Sequence, residues 1–188
     1  MNIANKLTLM RIILVFVLMG VIWLPLGLTT TALLWIALVI FVVASITDFL
    51  DGHLARKLGL VTNLGKFMDP LADKMLVITT LLALIDLGHQ GRLFAGTFPT
   101  WIVAFIILRE LMVSGIRVLA ASQNIVLAAN YWGKLKTVVQ MITIIVYLLP
   151  VELRFMPTVA IILAYASLVL TLLSGFIYLW ENRKVFED

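Results

Sequence analysis

The chain reads as all-α and polytopic: a six-transmembrane-helix bundle entered through a short N-terminal interfacial helix. Three observations predict that class. Hydrophobic residues make up 63% of the 188, against about half in soluble domains. They gather in six runs, at about 9–27, 32–55, 67–87, 99–121, 133–150 and 156–180, each near the roughly 20 apolar residues that cross a bilayer. Charged residues are only 13% of the chain and stand mostly at the ends of those runs. The runs leave no room for a soluble domain, so residues 1–188 are expected to form one membrane domain.

The lead, residues 1–11 with 1–8 as its interfacial part, offers Asn2 or Asn5 as a helix cap, and Ile3, Leu7 and Met10 as an apolar stripe lying on the bilayer. The first run has the basic start of a signal peptide. It is too long for one and lacks a small-x-small cleavage site, so it is read as a retained anchor. The second run ends in Asp48, Asp51, Gly52, Ala55 and Arg56, and a short return leads to Gly65, Asp69 and Asp73 at the head of the third. Pro70 suits a first helical turn. Lys66 and Lys74 flank the acids as interfacial charges. The segment GHQGRLFAGTF, with His89, is a glycine-rich loop on the opposite side.

The fourth run carries Arg109 and Glu110 near its middle and Arg117 two turns on, where charges need partners or water. The fifth opens GKLKT, with Lys134, Lys136 and Thr137, and Gln140 one turn deeper. Thr171 and Gly175 in the sixth are a small-x3-small pair suited to helix packing or a dimer. The tail ENRKVFED is mixed in charge and reads as a solvated end.

Lys and Arg set the orientation. Across six spans Arg92 and Arg154 fall on one side, and the other basic residues fall on or toward the other. Both termini and the aspartates are therefore expected to face the cytoplasm. A net charge of +4 suits an anionic membrane surface better than nucleic acid, and no basic-aromatic nucleic-acid pattern occurs. Cysteine is absent, which excludes disulfides, thiolate metal sites and a thiol nucleophile.

The most informative stretch has the skeleton Asp48-x2-Asp51-Gly52-x2-Ala55-Arg56-x8-Gly65-x3-Asp69-x3-Asp73 and holds four of the ten acidic residues. Residues three and four apart share a helix face, so Asp48 and Asp51 form one stripe and Asp69 and Asp73 another. The short return lets the stripes face each other. Each acid placed in a membrane costs about 2.5–3.5 kcal/mol on insertion scales, so compensation is required. Four carboxylates make a hard oxygen cage suited to Mg²⁺ or Mn²⁺ rather than zinc. Two divalent cations bridged by shared carboxylates are the arrangement expected for phosphoryl chemistry. The alternative is a set of helix caps and interfacial acids.

At each fixed position this skeleton resembles the CDP-alcohol phosphatidyltransferase signature. The lead is similar to that family's N-I-P-N-x-x-T-x-x-R: Asn5, Thr8 and Arg11 match, and Ala4 replaces the proline. The resemblance implies that Asn5, Thr8, Gly52, Ala55, Arg56 and Gly65 bind the cytidine nucleotide of CDP-diacylglycerol. Gly52 lets a ligand approach the helix closely, and Arg56 presents a planar fork to phosphate; by itself Arg56 reads equally as an ordinary positive-inside residue. The resemblance also implies a homodimer in a bacterial cytoplasmic membrane, and the last aspartate, Asp73, as general base.

Charge balance then recruits the remaining bases. Four Asp and two divalent cations cancel, so substrate phosphates need Arg109, Arg117, Lys134 and Lys136, although Arg109 and Glu110 also suit structural pairing with neighbours. With Thr137, these positions resemble the branch of the family that makes phosphatidylglycerol phosphate and CMP from sn-glycerol 3-phosphate. Attack on the lipid-bearing phosphorus is expected to be direct, because no Cys or triad offers a covalent route. Within the family, a cardiolipin synthase or a phosphatidylserine-type enzyme is the alternative. Outside it, a cation transporter would spread its acids across the bilayer, and a polyprenyl transferase would want more spans and two separated acidic motifs.

Overall fold

The computed structural model describes residues 3–57, 63–123, 125, 127 and 131–183, with side chains of 3–5, 49–57, 63–67, 69 and 70 outside that description. It contains α1 (Ile3–Trp23), α2 (Thr30–Lys57), α3 (Asn63–His89), α4 (Thr100–Ser122), α5 (Tyr131–Leu148) and α6 (Met156–Glu181). No strand occurs among the described residues. Each expected run is one helix, displaced by a few residues at most at its ends except at the start of α1.

Two expectations are refined. The lead is not a separate interfacial helix: from Ile3 onward it forms the first turns of α1. No Gly or Pro interrupts Ile3–Met19, and Ala4 is a strong helix former, so nothing ends the lead before the apolar run begins. Among the described residues three helices, not six, are long and apolar enough to cross a membrane: α1, α2 and α6. The other three carry several charged residues within their length, among them Asp73 and Lys74 in α3, Arg109, Glu110 and Arg117 in α4, and Lys134 and Lys136 in α5.

α1 packs on α2 and α3, α6 packs on α4 and α5, and α3 and α5 join the two groups. Val15, Leu18, Phe41, Leu76, Leu84, Ile102, Ile106, Ile144, Tyr147 and Leu168 contribute to the shared core. Small buried residues on α6, including Ala160, Ala164 and Gly175, let neighbouring backbones approach. Phe16, Val39, Leu108, Ile162 and Phe176 point outward and are exposed, as befits a surface solvated by lipid.

One end of the bundle is closed by loops. Gly27, Gly91 and Gly96 supply positive φ angles of 66°, 67° and 82°, which glycine adopts without steric cost. Trp23 Nε1 and Gln90 Nε2 each donate to Asp86 Oδ2 at 3.0 Å. Arg92 donates from Nε to Thr30 Oγ1 and from Nη2 to the Leu28 carbonyl, both at 3.3 Å. The segment after α3 is thereby fastened to the start of α2.

Candidate active site

The acids gather toward the opposite end, where α2 finishes and α3 begins. Asp48 is one-third exposed, and its Oδ1 lies 2.7 Å from Nη1 of Arg11, a fully buried residue of α1. Thr8, one turn earlier on α1, is also buried. A buried guanidinium so placed needs an anion, and Asp48 supplies it. Asp73 on α3 is partly buried and lies within electrostatic reach of Asp48, Arg11, Lys136 and Glu110. Thus Asp48 and Asp73, from successive helices, belong to one charged centre. Asp51, Gly52, Ala55 and Arg56 fall in the last turns of α2, and Gly65 and Asp69 in the first turns of α3. Their side chains, like that of Asn5, lie outside the described residues.

A second cluster joins α4, α5 and α6. Lys136, 5% exposed, donates to Glu110 Oε1 across the α4–α5 interface. Arg109 Nη1 reaches the same oxygen at 3.2 Å, and its Nη2 donates to Ser174 Oγ on α6 at 3.0 Å. The arginine stem runs along Gly175, where a Cβ would lie 3.0 Å from Arg109 Cγ. The Thr171/Gly175 pair therefore lies on an α6 surface that packs within the chain. Lys74 donates to Ser114 Oγ, and Ser114 donates to the Glu110 carbonyl at 2.5 Å.

The other candidate anion-binding residues are arranged differently. Arg117 is exposed, and its Nε donates to the Tyr178 hydroxyl at 3.2 Å, with the guanidinium 5.6 Å from that ring's centre. Lys134 is exposed on α5. The Thr137 hydroxyl donates to the Gly133 carbonyl at 3.1 Å. Of the five residues expected to recognise acceptor phosphate, Arg109 and Lys136 therefore meet at Glu110, and Arg117 and Lys134 lie at accessible positions.

Sequence reasoning missed the inward role of Lys74, which reads as an interfacial charge but bonds α4. It also missed Ser174 and Tyr178 as partners of the two arginines. The small pair on α6 was the available signal for Ser174, since close helix approach puts neighbouring hydroxyls within reach. No sequence signal marked Lys74.

Could this end of the bundle hold divalent cations? Among the described residues no three acids or histidines gather closely enough to ligate an ion. Asp48 and Asp73 nevertheless offer hard carboxylate oxygens, and no thiol competes because the chain has no cysteine. That donor chemistry fits Mg²⁺ or Mn²⁺.

Six helices, a lipid-compatible exterior and a charged centre that includes Asp48 and Asp73 define a polytopic membrane protein with a polar site. The chain belongs to the CDP-alcohol phosphatidyltransferase family, which it matches over residues 1–173. It is similar to a CDP-diacylglycerol–glycerol-3-phosphate 3-phosphatidyltransferase of Bacillus subtilis (strain 168), with 38% identity over 99% of this chain and 97% of the relative. A probable phosphatidylglycerophosphate synthase of Mycobacterium tuberculosis (strain ATCC 25618 / H37Rv) is 37% identical over 94% of this chain and 79% of its own length. A Haemophilus influenzae protein with the same name as the Bacillus relative is 35% identical over 95% and 91% respectively.

Proposed function

We propose that the chain transfers the phosphatidyl group of CDP-diacylglycerol to sn-glycerol 3-phosphate, giving phosphatidylglycerol phosphate and CMP. The observation that carries this reading is similarity over 99% of the chain to a relative bearing that enzyme name. The electrostatic reach between Asp48 and Asp73 supports it. The acceptor hydroxyl oxygen attacks the phosphorus that bears the lipid, the bond to the CMP oxygen breaks, and the proton passes to Asp73. Arg11 holds Asp48 in place by a buried ion pair. Asn5, Thr8, Gly52, Ala55, Arg56 and Gly65 bind the nucleotide half of the donor. Arg109, Arg117, Lys134, Lys136 and Thr137 form the region that receives the acceptor phosphate.

Asp48, Asp51, Asp69 and Asp73 are the residues that would hold two divalent cations, Mg²⁺ or Mn²⁺. Such ions supply charge stabilisation on the pyrophosphate and on the departing phosphate. An apolar groove lined by Val42, Ile46, Met141 and Ile145 lies between α2 and α5, beginning within one turn of Asp48. It offers an acyl chain a place beside the reacting headgroup. The Lys and Arg bias supports six crossings with both termini and the site toward the cytoplasm. Assembly as a homodimer completes the reading, on the family resemblance.

The test is CMP release by the purified protein offered glycerol 3-phosphate, phosphatidylglycerol, serine or inositol. Glycerol 3-phosphate should alone support turnover, a chelator should abolish it, and added Mg²⁺ or Mn²⁺ should restore it. Turnover with phosphatidylglycerol instead, or full turnover under chelation, overturns the reading.

A further inference from the structure

The acceptor region already contains an anion. Glu110 is 13% exposed and receives both Lys136 and Arg109 on one carboxylate oxygen, Oε1. Both cations are themselves at least nine-tenths buried. One turn deeper on the same face of α5, Gln140 is 2% exposed, and its Nε2 has no hydrogen-bond partner among the described residues. A third cation, Lys74, lies within electrostatic reach of Glu110. Donors therefore outnumber acceptors here. A buried donor without an acceptor is costly, and a buried cation without an anion more so. Glu110 is the carboxylate in direct contact with this set, with Asp73 within electrostatic reach of Lys136.

We propose that Glu110 is an internal stand-in for the acceptor's phosphate: it keeps Lys136 and Arg109 in place and is displaced by the phosphate on binding. This rests on the acceptor reading above. A phosphate monoester carries about −1.5 to −2 charges at neutral pH and three strong acceptor oxygens. It therefore offers Lys136 and Arg109 more than one carboxylate can, and leaves an oxygen for Gln140. A neutral polyol offers no comparable exchange, and an amino acid's single carboxylate offers no more than the Glu110 carboxylate it would displace, so neither opens the Glu110 pairs. Glu110 thereby sets specificity for a phosphate-bearing acceptor as well as holding α4 and α5 together.

An internal ligand lowers apparent affinity by the fraction of time it vacates the site. If the pairs open one time in ten, removing the carboxylate tightens phosphate binding about tenfold. The variants are Glu110→Gln, which keeps the shape without the charge, and Glu110→Asp, which keeps the charge on a shorter stem. Each is purified as the full chain. Inhibition of CMP release by inorganic phosphate, the KM for glycerol 3-phosphate, and the rise in Tm caused by inorganic phosphate at constant ionic strength are measured.

Glu110→Gln should lower the inhibition constant about tenfold, lower KM and enlarge the phosphate-dependent rise in Tm. Glu110→Asp should move all three the same way by less. An inhibition constant unchanged or raised in both variants overturns the proposal, as does a loss of Tm that phosphate does not restore. Should Glu110→Gln not fold, Glu110→Asp decides by the same criteria. Arg117→Ala and Lys134→Ala separate the two layers. If they leave KM unchanged, the acceptor reading has failed; if they raise it while the Glu110 variants behave as wild type, only the stand-in has failed.

Discussion

Asp73 and Asp86 stand on the same helix, α3, near opposite ends of the bundle, and their surroundings differ in kind. Asp86 receives two neutral donors, Trp23 and Gln90, close to solvent. Beside it Arg92 spends its donors on Thr30 and a carbonyl. The Trp23 and Arg92 contacts there tie one chain segment to another. Asp73 sits among Asp48, Glu110, Arg11 and Lys136, charged groups of which Arg11 and Lys136 are buried. A fold that needed only to close its loops would not assemble such a centre, because each buried ion must be compensated by another. The loop end shows what polar groups do when they only fasten; the acid end shows charge retained despite its cost.

Substitutions can sharpen that contrast or break it. The largest effect is expected from Asp73→Asn, which should lower kcat for CMP release by about 10²–10⁴, the usual range for a lost general base. Its Tm should not fall, because the change removes a charge from a partly buried place. A Tm loss matching the activity loss would make Asp73 a structural residue and erase the contrast with Asp86. Next is Lys136→Met, which strips Glu110 of its lysine and should cost about 3 kcal/mol of stability. The double variant Lys136→Met, Glu110→Gln should recover most of that in thermal or denaturant unfolding. Gly175→Ala is smaller: its Cβ meets Arg109 Cγ at 3.0 Å, and overpacking costs about 1–3 kcal/mol. Asp86→Asn should be smallest, within about 0.5 kcal/mol, with CMP release unchanged. A large activity loss there would show that the loop end is coupled to the chemistry.

Much of the fold was legible because hydropathy alone marks a helix that must face lipid. The segments α2 to α6 begin and end within a few residues of the apolar runs. α1 escaped at its start, since a polar lead without a helix breaker looks interfacial in sequence but simply continues the helix. The spacing of the aspartates predicts two facing stripes; of the four, Asp48 and Asp73 lie within electrostatic reach of each other, and the side chains of Asp51 and Asp69 lie outside the described residues. The basic residues were less legible. Periodicity places Arg109 in α4 but does not say that its stem lies along Gly175 or that Ser174 takes one of its N–H groups. Lys74 adjoins Asp73 in sequence, and only tertiary packing shows that its ammonium turns to Ser114. Partners of long, flexible cations come from helix–helix contacts, which no local pattern encodes.

The length of α2 has a consequence of its own. With 28 residues it extends about 42 Å, longer than the roughly 30 Å of a bilayer's oily interior. Its apolar stretch runs from Thr30 and gives out at Asp48. On the proposed reading the helix would act as a depth gauge, its first aspartate falling where the oily interior ends. A donor anchored by its two tails would then present its reacting phosphorus near that height, narrowing its search along the membrane normal.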